Sequence, residues 1–173
     1  NTTFQDEGRN NLYHIGIPFS GAMDKRNYRL ANNIVGNKID NPVIEFAYQG
    51  PLIKYKGEKI NIVITGDVIF KIISQQKEIQ GNCYENYSIK DGDIVDIIST
   101  NKSVYGYLGI SGEFDLKFQW GSCSINTKAN IGSNNGKKLQ TNQKIFISKI
   151  NSSQISKKLD YINTKLEKIR VIK

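Results

Sequence analysis

The sequence predicts a mainly β protein, a sandwich or barrel, with one helix near the N-terminus and an amphipathic helix or linker at the C-terminus. Three observations carry this expectation. Short runs of β-branched and aromatic residues recur between Gly, Pro and Asp turn signals. One early stretch has helical periodicity with a start and a stop signal. No alternation of strand and helix, and no repeat of fixed period, argues for βαβ units or a solenoid.

The helix lies in "GIPFSGAMDKRNYRLANNIVGN" (16–37). Asp24 suits its N-cap, where a carboxylate accepts from backbone N–H groups two or three residues on. Leu30, Ala31, Ile34 and Val35 form the apolar stripe, and Gly36 supplies the left-handed position past the end. Strands follow at "VIEFAY" (43–48), "LIKY" (52–55), "INIVIT" (60–65) and "VIFKIIS" (68–74). Further strands fall at "YSI" (87–89), "DIVDIIS" (93–99), "VYGYLGIS" (104–111) and "KIFISKI" (144–150). Residues 1–148 thus read as one β domain and 149–173 as a basic linker or helix. In that tail Ile155, Leu159, Ile162, Leu166 and Ile169 recur at helical spacing, and "IRVIK" (169–173) reads as a strand without a partner.

Composition narrows the function classes. The chain has 173 residues, is 38% apolar and carries a formal charge of +8. Residues 149–173 hold seven Lys/Arg against two Asp/Glu, so the excess is concentrated in the tail. The Lys excess travels with Asn and Ile and forms no basic, aromatic face, which argues against nucleic acid. No run approaches the length of a membrane span. Two Cys, Cys83 and Cys123, fit free thiols in a reducing cytoplasm rather than a disulfide framework. A single His and no Cys cluster leave no metal site to expect. "GSNNG" (132–136) lacks the Lys-Ser/Thr of a phosphate loop and reads as a turn, as does the Asp91-Gly92 region.

Polar chemistry concentrates at the front: Gln5, Asp6, Arg9, His14, Ser20, Asp24, Arg26, Arg29 and Asn32. Three of the four Arg lie there, which suggests planar work on a carboxylate or phosphate. The loop 16–24 feeds a helix N-terminus, where free N–H groups favour an anion. Ser20 and Asp24 therefore read either as caps of the helix or as part of a ligand site.

"TFQDEGR" (3–9), "GIPFSGAMD" (16–24), "ANNIVGN" (31–37), "IEFAYQGP" (44–51), "ITG" (64–66) and "GYLGISGEFD…WGS" (106–122) occur in order. Together they resemble the first half of the biotin-dependent carboxyltransferase-like family. That family includes the C-type chain of 5-oxoprolinase, allophanate hydrolase subunit 2, kinase-inhibitor antagonist proteins and the carboxyltransferase region of urea amidolyase. "IRVIK" resembles the strand opening the second half, so the chain looks like a truncated or naturally short member. Asn11 stands where the family usually has Gly and suits a left-handed backbone. Cys123 and Ile125 replace an Arg and a Thr of the family pattern.

The resemblance implies a cyclophilin-like β-barrel and a hetero-oligomer. Its partner would be the B-type chain of 5-oxoprolinase, of related fold, with the A-type chain as a third component. The implied leading activity is a hydrolase reaction, the ATP-dependent opening of 5-oxo-L-proline to glutamate, on a small amide or carboxylate substrate. ATP would belong to the complex. Biotin enters only under the alternative of a urea carboxylase type of carboxyl transfer, and a further alternative is a non-catalytic regulatory partner. The expected catalytic residues are Asp6 and Glu45 as proton carriers. Arg9, His14, Ser20, Asp24 and Asn32 are the expected substrate-binding residues.

Overall fold

The computed structural model describes residues 1–75, 77–151 and 159. Its elements in chain order are β1 (Thr2–Gln5), α1 (Lys25–Ile34), β2 (Val43–Ala47), β3 (Leu52–Lys54), β4 (Ile60–Thr65), β5 (Val68–Ser74) and β6 (Lys77–Gln80). Then come β7 (Asn86–Ile89), β8 (Ile94–Thr100), β9 (Tyr105–Ile110), β10 (Gly112–Phe114) and β11 (Ile147–Ile150). Single 3-10 turns stand at Tyr13–Ile15 and Asn134–Gly136. The expected amphipathic helix in the tail and the "IRVIK" strand lie outside the described residues, apart from Leu159.

One antiparallel sheet has the order β1-β2-β9-β4-β7, a second has β3-β8-β5-β6, and β10-β11 form a two-stranded ribbon. The mainly β expectation holds, but these strands do not close into one ring. The register of the larger sheet sorts its side chains into two layers. Phe4, Ile44, Leu108 and Ile64 stand side by side across four strands. They join Val68, Phe70, Ile72, Val95 and Ile97 of the second sheet in the main core. The next row, Thr3, Glu45, Tyr107 and Thr65, lies on the opposite face. That face takes helix α1, whose Tyr28, Ala31 and Ile34 pack with Val43, Val63 and Tyr107. Period-2 alternation thus gives the central strands one apolar face for the sheet partner and one mixed face for the helix.

Helix α1 has the expected ends. Asp24 accepts from the Asn27 N–H at 3.0 Å, and Gly36 follows at φ +75° after the C-cap Val35. Asn32 is fully buried on this helix. Its side chain donates to the carbonyls of Asn41 at 2.7 Å and Ile39 at 3.3 Å, which fixes the loop into β2. The Asp91-Gly92 segment is a turn but not a hairpin: it carries the chain from β7 in the first sheet to β8 in the second, with Asp93 accepting from the Lys90 N–H and Asp91 from the Gly57 N–H.

Candidate functional site

The front of the chain folds back on itself. After β1, the strip 6–9 runs beside the loop 19–22, held by Arg9 N–H to Phe19 O at 2.7 Å and Ala22 N–H to Asp6 O at 3.0 Å. The approach is close enough to require glycine on both sides. A Cβ on Gly21 (φ +88°) would sit 2.8 Å from Glu7 O, and one on Gly8 (φ +95°) 2.8 Å from Phe19 O. Between them Ser20 adopts φ +58°, an uncommon left-handed conformation for a residue with a side chain.

Below this fold-back, Asp6 anchors the segment 119–124. Its Oδ1 accepts from Ser122 Oγ at 2.6 Å, Ser124 Oγ at 2.5 Å and Gly8 N–H at 2.8 Å, while Oδ2 accepts from Cys123 N–H at 2.7 Å. Burial raises the pKa of this carboxyl, but the four donors outweigh it and hold the net value below the ordinary range. Arg9, only 2% exposed, donates from Nε to Gln119 O at 3.1 Å and from Nη2 to Ser124 O at 2.8 Å and Ser122 O at 3.4 Å. Burial pulls its pKa down and the Asp6 charge opposes that. Its Nη1 is buried without a partner among the described residues. Trp120, at φ +52°, tops the tight turn that Arg9 grips. Ser122 and Ser124 are both fully buried; Ser122 closes the quoted "WGS" motif, yet neither was among the expected site residues.

Glu45 occupies the layer between sheet and helix. It is 7% exposed, and its Oε2 accepts from the Met23 N–H at 2.8 Å and the Tyr107 hydroxyl at 2.9 Å. That hydroxyl in turn accepts from the Asp24 N–H at 2.7 Å. Oε1 makes no hydrogen bond among the described residues. Burial pushes the Glu45 pKa up, the two donors pull it down, and the nearby Asp24 charge adds to the rise; the net direction is upward. A carboxyl in such a setting retains its proton closer to neutral pH.

The other expected site residues disperse. Asp24 is an N-cap, with Oδ2 also accepting from Asn27 Nδ2 at 2.6 Å. The N–H groups of Met23, Asp24 and Asn27 are therefore already engaged, so the helix end offers an anion fewer free donors than its sequence suggests. Ser20 Oγ accepts from Asn126 Nδ2 at 3.3 Å, which ties the elbow to the loop after Ile125. His14 is exposed in the first 3-10 turn, with no side-chain hydrogen bond among the described residues. Asn32 sits at the far end of the helix, in the network with Ile39 and Asn41. Arg29 forms a two-pronged pair with Glu7 at 2.7 and 3.1 Å.

The surface around the elbow is unusually apolar: Tyr13, Ile15, Phe19 and Met23 are exposed there, as are Phe118 and Trp120 on the neighbouring loop. Cavities of about 250 Å³, beside Phe4 and Ser133, and about 460 Å³, beside Lys137 and Lys138, lie elsewhere. No helix among the described residues is long and apolar enough to cross a membrane.

Known proteins are similar to this chain in sequence and fold. The chain is 35% identical over 147 residues to urea amidolyase of Saccharomyces cerevisiae, covering 84% of this chain and 8% of that protein. It is 32% identical over 143 residues to the C-type chain of 5-oxoprolinase from Haemophilus influenzae, covering 83% of this chain and 45% of that one. The crystal structure of the K. lactis urea amidolyase superposes with a TM-score of 0.79 at 32% identity, over 85% of this chain and 9% of that chain. The chain spans less than half the length of each of these relatives. Residues 15–173 match the carboxyltransferase domain, subdomain A and B, and the chain belongs to that family.

Proposed function

We propose that this chain acts as the C-type component of an ATP-dependent 5-oxoprolinase, and that Glu45 is its proton carrier. The observation that carries the reading is the Glu45 carboxyl: buried, raised in pKa and with Oε1 unpaired among the described residues, beside the start of helix α1. Opening a cyclic amide breaks a C–N bond, and the departing nitrogen must gain a proton. A carboxyl that holds its proton towards neutral pH suits that task, and such proton transfer typically contributes about 10²–10⁴-fold. Asp6 is the poorer candidate, because four donors favour its ionised form. Its part is to fix the loop 119–124 together with Arg9, while Ser20 and His14 remain at the accessible elbow for substrate contact.

The described residues offer little to hold the phosphates of ATP. At the helix start the N–H groups of Met23, Asp24 and Asn27 are taken by Glu45, Tyr107 and Asp24, and the segment 132–136 is a tight turn without a phosphate-loop Lys. Nucleotide handling is therefore assigned to the partner chains. The exposed apolar residues around the elbow support a site completed by a B-type partner of related fold.

A second reading, carboxyl transfer to urea with biotin as the carrier, is favoured by the higher identity to urea amidolyase, 35% and 37% for two yeast proteins. The test is reconstitution of the full-length protein with its co-purifying partners. Glutamate formation from 5-oxoproline and ATP supports the leading reading. Consumption of carboxybiotin with urea overturns it in favour of the second, and a stable complex without either turnover overturns it in favour of a regulatory role.

A further inference from the structure

We propose that Tyr107 is a positioning residue for Glu45, which confines the carboxyl proton to Oε1. The two residues face each other directly in the β2–β9 pairing, so the contact is set by sheet register rather than by a mobile loop. The Tyr107 hydroxyl is held from both sides. It accepts from the Asp24 N–H at 2.7 Å and has one proton to give, which goes to Glu45 Oε2 at 2.9 Å. The Met23 N–H donates to the same Oε2 at 2.8 Å.

With two donors aimed at it, Oε2 has no room for a proton of its own. When Glu45 is protonated, the proton therefore sits on Oε1, the oxygen without a partner among the described residues. The same register places Thr65 on the other side of Tyr107, and Thr65 Oγ1 donates to the Asn27 carbonyl at 2.8 Å. The helix start is thus pinned to the sheet on both sides of Tyr107. The charged and titratable groups facing Glu45 are Asp24, at the helix cap, and Tyr107 itself.

This inference rests on the reading of Glu45 as proton carrier, but its test does not depend on turnover. The measurement is a ¹³C NMR titration of the Glu45 carboxyl in the full-length protein, with Glu45→Gln identifying the resonance. Tyr107→Phe removes a donor that favours the ionised carboxylate, so the Glu45 midpoint should rise by about one pH unit. An unchanged midpoint in a folded Tyr107→Phe protein overturns the proposal. A second measurement needs no Tyr107 variant. In the wild type the Asp24 amide resonance should move with the Glu45 midpoint, because the Tyr107 hydroxyl links the two, and this component should vanish in Glu45→Gln. An Asp24 amide that ignores the Glu45 titration also overturns it. Loss of turnover in Glu45→Gln is a separate result that bears on the proton-carrier reading alone.

Discussion

Arg9 Nη2 donates to the Ser124 carbonyl at 2.8 Å, a contact that joins positions 115 residues apart. Together with the bonds to Gln119 and Ser122, it makes the planar guanidinium a clamp on one tight turn. A lysine carries a point charge and cannot present the same fork. Arg9→Lys should therefore loosen the turn that carries Trp120, the only Trp in the chain. The expected result is red-shifted, more quenchable Trp emission, with far-UV circular dichroism unchanged.

Asp6 should make the protein acid-sensitive. Its folded pKa lies below the ordinary value of 3.8, so its contribution is fully present above that value and is lost as pH falls through the folded value. Asp6→Asn replaces an acceptor for four donors with a group that has a single acceptor oxygen. Hydrogen bonds to charged groups contribute about 1.5–3 kcal/mol each, and partial rearrangement leaves an expected loss of about 2–4 kcal/mol at pH 7. Urea denaturation at pH 7 and at pH 3.5 checks both statements: the gap between wild type and variant should narrow at the lower pH.

The sign is opposite at Glu45. Its folded pKa is raised, so the folded state binds the proton more tightly and stability falls as pH rises from the unfolded value through the folded one. Glu45→Gln keeps an oxygen acceptor for Met23 and Tyr107 but has no charge to bury. Its stability should match or exceed that of the wild type at pH 8 and show a flatter pH dependence, measured by thermal unfolding between pH 4 and 8.

Gly21→Ala tests the fold-back. The position combines φ +88° with a Cβ that would meet Glu7 O at 2.8 Å. Backbone strain of this kind costs about 1–3 kcal/mol before the clash is counted. The variant should lose at least about 2 kcal/mol, whereas Gly92→Ala, with φ +86° but open space around its Cβ, should lose less.

Much of the fold was legible because local signals agreed with the tertiary role. The bounds of β4 and β5 follow from β-branched runs broken at the Gly66-Asp67 turn, and α1 follows from its caps and stripe. β1 escaped notice because "TTFQ" is short and runs straight into a polar loop. β6 is exposed at all four positions, so it carries no period-2 pattern. Gly112 reads as a turn, yet it opens β10, whose pairing to Ile150 depends on distant chain.

The site was legible only in outline. A carboxylate inside the apolar run "VIEFAY" was a usable signal for Glu45, whereas the packing of "TFQDEGR" beside the elbow shows only in the contacts of Asp6 and Arg9 with Ala22 and Phe19. Arg9 illustrates the limit. Its type suggested an anion ligand, but Nε and Nη2 donate to carbonyls more than a hundred residues away, and only Nη1 is left without a partner among the described residues. Tyr107 was invisible as a partner of Glu45 because only the β2–β9 register brings the two together. For Asn32 the helix was recognised, but its loop partners Ile39 and Asn41 were not visible from helical spacing.

The proposed proton-carrier role of Glu45 has a direct kinetic test. The most direct measurement is kcat of the reconstituted complex with 5-oxoproline and ATP, for wild type and Glu45→Gln, with equal folding verified by thermal unfolding. The expected result is a fall of about 10²–10⁴-fold in kcat with little change in KM. A Glu45→Gln complex that turns over within about threefold of the wild type would contradict it.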